Sequence, residues 1–325
     1  MPQLVGKEVG PIGYGLMGLT WRINPVTTEA AIETMHAALK NGLNFWNAGE
    51  FYGTPEYNSL HLLERYFAKY PEDADKVVLS VKGGYSAQTG MDSSPEGIRR
   101  SIDNSISLLK GRKKIDIFEV ARRDPNIPLD VTYGTMDKEY VQTGKIGGIG
   151  ISEVKASTLR EVAKITKIVA VEVELSLFST DPLDNGLVAA AKELDIPIVA
   201  YSPLGHGILT GQIKTIKDLP EELRGYPRFQ EDTFPINIEL IHHVEAIASK
   251  KGVKPSQLAI NWARAVTRRA GVTAIPIPGA TTVARVEENS KLVDLTDDDL
   301  NELDEILKKI EVVGRRYPDF IPIDG

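Results

Sequence analysis

The chain has no cysteine among its 325 residues. That absence excludes disulfides, thiolate nucleophiles, iron–sulfur clusters and cysteine-ligated zinc, and it fits a reducing compartment. Histidine is scarce as well, with five in all. The adjacent pair His242 and His243 lies in a segment of helical periodicity, where neighbouring side chains diverge by about 100° and cannot chelate one ion. No metal is expected. Positive charge is in deficit, 38 Lys and Arg against 45 Asp and Glu, a net charge of −7. Broad phosphate contact needs a dense basic surface, so nucleic acid is not an expected partner. Long apolar runs are missing too. No stretch approaches the roughly 18 apolar residues of a membrane helix, and the opening MPQLVGKEVGPIG lacks an apolar targeting core. A cytoplasmic protein that does not engage the membrane is expected.

What is present is an apolar fraction of 42%, enough for one large core, so residues 1–325 are expected to form a single domain. Short apolar runs alternate with longer helical-period segments along the whole chain. The expected strands are residues 11–14, 43–47, 77–81, 115–120, 146–151, 170–174, 198–201 and 273–277. About eight strands alternating with helices predict an α/β fold, a parallel (β/α)8 or TIM barrel, with a doubly wound open sheet as the structural rival. Residues 28–40 read as a helix stopped by Gly42, and Ser94-Pro95 reads as a capped helix start. Residues 205–236 lack a sustained period and predict a long loop over the C-terminal face of the barrel. Residues 296–309, acidic at the start and basic at the end, predict an extra C-terminal helix.

Gly13-x-Gly15-x-x-Gly18 matches the dinucleotide fingerprint, but that motif must open a helix at once, and Trp21-Arg22-Ile23-Asn24-Pro25 places a loop there. The glycines are expected instead to turn the chain after the first strand. Barrel enzymes carry their reacting groups at the C-terminal ends of strands. Asn47, Lys82, Ser152, Glu153, Glu172, Glu174, Tyr201 and Ser202 stand at those ends, with Tyr52 just beyond the second strand. Tyr52 and Lys82 fall on neighbouring strands at one rim. An ammonium beside a phenol favours the phenolate and should lower the tyrosine pKa toward general-acid use. On spacing alone the pair is weak evidence, because a rim lysine is usually solvated and a rim tyrosine usually packing.

FWNAGEFYG, KIGGIGISE, VEVELSLF, YSPLGHGILTG and PIPGATTVARVEEN carry a resemblance to the aldo-keto reductases along nearly the whole length. The resemblance implies NADPH-dependent reduction of an aldehyde, with Tyr52 as proton donor, Lys82 as its partner and Asn47 in the place of a catalytic aspartate. It also implies a cofactor site. Ser152, with Glu153 and Glu172, would meet the nicotinamide carboxamide, and Tyr201 would stack on the ring. Ser202, Leu204 and Gly205 would follow the pyrophosphate. Thr281, Thr282, Arg285, Glu288 and Asn289 would surround the adenosine end, with Arg285 on the 2′-phosphate. GLMGLTW, NAGEFYG, LSVKGG and DIFEVARRDP look most like the fungal pyridoxal reductases, which reduce pyridoxal to pyridoxine and so belong to vitamin B6 metabolism.

Four positions depart from the family pattern. Asn47 replaces the aspartate, Ala121 the active-site histidine, Glu172 a glutamine and His206 an arginine. Glu50 could restore the missing charge near Lys82, and Arg122 or Arg123 could supply a donor in place of the histidine. Trp21, Trp46, Phe51 and Tyr85 could wall a flat substrate, with Arg122 in the same pocket, and each aromatic fits rim packing as well. The losses at Asn47 and Ala121 leave a second reading open, a catalytically weak NADPH-binding barrel serving as a redox-sensing or regulatory subunit.

Overall fold

The computed structural model describes residues 1–86 and 90–318. Eight parallel strands follow one another in chain order: β1 (Tyr14–Gly15), β2 (Phe45–Gly49), β3 (Val78–Gly83), β4 (Ile117–Val120), β5 (Gly148–Ser152), β6 (Ile168–Glu174), β7 (Ile198–Tyr201) and β8 (Ala274–Pro276). The ends of the sheet meet. Gly13 donates its N–H to the Pro276 carbonyl at 2.8 Å, and Gly15 donates to Pro278 at 3.3 Å. The fold is therefore the expected barrel; a doubly wound sheet would reverse its strand order midway and keep two edges.

The expectation for the first glycines needs correction. A Cβ at Gly13 would stand 2.8 Å from the Phe45 carbonyl oxygen, and one at Gly15 would stand 2.8 Å from that of Ile277. These glycines let β1 press against both neighbours at the seam; they do not turn the chain after it. A helix of only four residues, Met17–Thr20, follows.

Local signals place the helices well. Thr27 accepts the Ala30 N–H at the head of Thr28–Lys40, and Ser94 accepts the Gly97 N–H at the head of Pro95–Leu108. Thr296 and Asp299 cap Asp297–Lys309 reciprocally, and that helix buries Leu300 and Leu303 outside the barrel. The expected loop from residue 205 contains short turns, Gly205–Thr210, Ile216–Asp218, Glu221–Leu223 and Pro227–Phe229. Its last residues already belong to the helix Phe234–Lys251.

The alternation of side chains along a strand dictates what fills the barrel. Phe45, Val78, Ile117, Ala170, Val199 and Ile275 form an apolar floor with Leu4 and Val9 of the N-terminal segment. Two residues further on, the same inward faces carry Asn47, Ser80, Glu119, Glu172 and Tyr201, and another step on β3 and β5 brings Lys82 and Ser152. A polar layer thus lies between the floor and the C-terminal mouth.

Candidate active site

Tyr52 reaches this layer from the turn after β2. Its amide donates to the Gly49 carbonyl at 3.2 Å, and Thr20 donates its hydroxyl to the Tyr52 carbonyl at 2.7 Å. A Cβ at Gly49 would lie 2.8 Å from the Tyr52 ring, so a glycine is needed for the ring to fold back over the strand end. Tyr52 is 7% exposed and Lys82 5%. The Lys82 ammonium donates to the Tyr52 hydroxyl at 3.4 Å, so the two residues paired on sequence grounds do meet.

Glu172 and Glu119 complete the group. Lys82 forms a close ion pair with Glu172 and lies 3.7 Å from Glu119. The Asn47 amide nitrogen donates to Glu172 at 2.6 Å and to Glu119 at 3.3 Å. Both oxygens of Glu172 are thus taken inside the barrel, by Lys82 and Asn47, whereas the resemblance had turned this residue toward the cofactor. Glu119 was missed, although a readable signal existed: it stands two residues after Ile117 on an inward face of an otherwise apolar strand.

These neighbours overturn the expected acidity of Tyr52. Burial pushes its pKa up, and the Glu172 and Glu119 charges act in the same direction against Lys82. The phenol keeps its proton in neutral solution, which is the form a general acid needs. For Lys82, burial works against the charge but is outweighed by Glu172, Tyr52 and Glu119, so the ammonium is held protonated. Glu119 is pushed well up, first by burial and then by the Glu172 charge.

An acid whose pKa rises on folding stabilises the fold below the ordinary glutamate range, and that contribution is lost as pH climbs through the raised value. Urea midpoints are therefore expected to fall with rising pH across this window. Glu119→Gln, which cannot ionise, should flatten that slope. An unchanged slope would place the titrating proton elsewhere.

Glu50 does not serve Lys82. Its carboxylate turns outward, accepting bonds from Ser101 and from Asn104 at 2.8 Å on the helix Pro95–Leu108. Strand parity explains the difference, since a residue beside an inward position faces the surrounding helices. Trp46 is corrected for the same reason: it is fully buried outside the barrel against Tyr66 and Phe67. The other aromatics do converge. Trp21 stacks on Tyr52 at 5.7 Å and meets Phe51 edge-on at 5.8 Å, and Phe51 meets Tyr85 at 5.1 Å. Trp21 is 48% exposed, so this wall is open to the solvent.

Ala121, which occupies the histidine position of the pattern, is buried, and its amide donates to the Gly83 carbonyl at 2.9 Å. Beside it, Arg122 keeps its charge despite burial through Tyr201, Glu153 and Tyr317. Ser152 ends β5 with a buried hydroxyl that has no hydrogen-bond partner among the described residues.

The C-terminal segment contributes residues that sequence reasoning did not find. Arg316 pairs with Glu153 at 2.9 Å and with Glu174 at 3.2 Å, and the Tyr317 hydroxyl lies 2.9 Å from that of Tyr201. Gly314, in the left-handed region at φ 98°, accepts from Arg228 at 3.1 Å and helps hold this segment over the mouth. No local motif near the C-terminus announces such long-range partners.

Ser202 at φ 46°, Gly205 at 54° and Gly207 at 100° bend the backbone sharply after β7, on either side of Leu204. Across from this bend, Thr281 and Thr282 lead into Val283–Asn289. Arg285 on this helix is exposed and reaches Gln212 at 3.3 Å. Glu288 is taken by Ser256 and by Lys254 at 2.5 Å, and the Asn289 amide donates to the Gly279 carbonyl at 3.4 Å. Among the described residues no cluster of three or more acidic or histidine side chains could hold a metal ion, and no helix is long and apolar enough to cross a membrane.

A family model described as the aldo/keto reductase family matches residues 11–308. A Schizosaccharomyces pombe protein named "Probable pyridoxal reductase 2" is 41% identical, over 98% of this chain and 97% of its own length. A second protein from that yeast, "Aldo-keto reductase yakc [NADP(+)]", is 34% identical over 97% and 93%. Among solved structures, a glycerol dehydrogenase from Gluconobacter oxydans superposes with a TM-score of 0.82 at 22% identity, over 98% of both chains.

Proposed function

The chain belongs to the aldo/keto reductase family, and from that premise we propose that it reduces an aldehyde to an alcohol with NADPH, pyridoxal to pyridoxine being the specific reaction. The observation that carries the reading is Tyr52, a protonated phenol 3.4 Å from the Lys82 ammonium on the floor of an aromatic-walled mouth. Two similar proteins support its finer parts, one named for pyridoxal reduction and one for NADP(+).

The residues present suit a nicotinamide cofactor. The orphaned Ser152 hydroxyl would bond a carboxamide, the Tyr201 ring would stack on the nicotinamide, and the sharply bent backbone from Ser202 to Gly205 would follow a pyrophosphate. Thr281, Thr282, Arg285, Glu288 and Asn289 would hold the adenosine end. Bound NADPH supplies the hydride. The chain then has three tasks: to orient the aldehyde, to exclude water and to give a proton. Trp21, Phe51 and Tyr85 would lie along a flat pyridine ring with Arg122 at the rim. Tyr52 passes its proton to the carbonyl oxygen as charge develops there, and Lys82 stabilises the phenolate left behind. Orientation is worth up to about 7–11 kcal/mol and proton transfer roughly 3–5, so a barrel with Ala121 in place of an orienting histidine can still be active. We propose besides that residues 1–325 act as one domain in the cytoplasm.

NADPH oxidation with pyridoxal and with a panel of aromatic and aliphatic aldehydes tests the reading. Preferred turnover of pyridoxal would support it. Tight NADPH binding with no turnover of any aldehyde would overturn it in favour of the redox-sensing or regulatory barrel. Arg285→Ala is expected to raise the KM for NADPH by about ten- to a hundredfold and to spare NADH, because a charge-assisted bond to the 2′-phosphate is worth about 1.5–3 kcal/mol. Equal losses for both cofactors would place Arg285 elsewhere.

A further inference from the structure

The polar layer holds more ionisable groups than one tyrosine and one lysine require. On the reading of Tyr52 as proton donor, we propose that Glu172 is the residue that positions Lys82, and that only one of the two acids held by the Asn47 amide, Glu172 and Glu119, is ionised at a time. The cluster then carries one negative charge against one ammonium.

The geometry requires a charge count of this kind. Asn47, Lys82, Glu119 and Glu172 are all no more than 5% exposed. Two ionised carboxylates beside one ammonium would leave an uncompensated charge where its desolvation is expensive, and one proton on the acid pair removes it. Asn47 has two amide hydrogens and uses that capacity on both acids, at 2.6 and 3.3 Å. An aspartate in its place would put a third carboxyl among the first two. The groups that face Lys82 come from every neighbouring element. Tyr52 follows β2, Glu119 is on β4, Glu172 is on β6, and the Tyr201 ring of β7 lies 5.7 Å from the ammonium. Tyr52 receives its hydrogen bond from Lys82 at 3.4 Å, and the same ammonium is held in a close ion pair by Glu172. Glu172 therefore acts on Tyr52 through Lys82.

The test is a charge exchange. Glu172→Gln leaves Lys82 without its closest anion, and Asn47→Asp adds an anion beside two acids. Each is expected to lower kcat by at least about tenfold, with aldehyde KM nearly unchanged. The double variant Asn47→Asp/Glu172→Gln reverses the donor and acceptor of one hydrogen bond and restores the original charge count. It is expected to recover most of the lost turnover, together with the pH profile of the parent. Melting midpoints of the cofactor-free protein should follow the same order, lowered in each single variant and restored in the double. Losses that simply add in the double variant, in both turnover and melting, would overturn the proposal and reduce Glu172 to packing. If even the parent protein turned over no aldehyde, the catalytic reading would fail separately. The melting series would then decide the charge exchange by itself.

Discussion

Tyr52→Phe is expected to lower kcat for aldehyde reduction by about 10²–10⁴-fold. The change removes one oxygen and leaves the ring stacked on Trp21 and folded over Gly49, so the wall of the mouth survives. The hydroxyl's hydrogen bond comes from Lys82, which retains its ion pair with Glu172 when the hydroxyl is gone. The loss should therefore appear equally in kcat and kcat/KM, as for an interaction made only in the transition state. NADPH affinity, followed by fluorescence quenching, should stay close to that of the parent. Turnover that survived the substitution would move the proton donor to another residue, with Arg122 the first to examine.

Lys82→Met should have the largest effect on stability. Removing the ammonium strands two acids that face each other at 2% exposure. Breaking a buried ion pair from one side costs about 3–5 kcal/mol, a large part of a typical stability of about 5–15 kcal/mol. The sign of the pH dependence follows. Without the cation, both carboxyls must stay protonated to avoid buried charge, and folding is then favoured below the ordinary glutamate range and disfavoured above it. Urea midpoints of the variant should fall further behind the parent as pH rises above the ordinary glutamate range. The further change Glu172→Met should recover part of the loss, because an apolar group there needs no partner. A gap that stayed constant with pH would mean that Lys82 is not balanced by these acids.

The legible parts of the molecule share one property: their signals are short. The helix at Thr28–Lys40 was readable because Gly42 stops it just past its end, and the structure adds a Thr27 cap at its head. The strand at Ile198–Tyr201 was readable because a run covered on both faces is apolar throughout. Tyr52 and Lys82 were paired because neighbouring strands place consecutive loops on one rim. Other residues were misjudged where the outcome hung on a face or a distant partner. Glu50 and Trp46, both offered for the mouth and Trp46 also as packing, face the surrounding helices, since a single step along a strand reverses the direction of a side chain. The lowered pKa expected for Tyr52 from Lys82 failed because it left out burial first of all, and then the charges of two buried acids.

By itself, then, the sequence determined the alternation of elements, their caps, the parallel run of about eight strands and the pair of residues that meet at one rim. Each of these depends on interactions a few residues apart or on a repeat that runs the length of the chain. Tertiary structure alone decided the electrostatics of the mouth. Lys82 finds Glu172 across 90 residues, and Arg316 finds Glu153 across 163. Such meetings depend on how far the sheet tilts before it closes and on where the last segment crosses the mouth, and no local pattern of side chains encodes either.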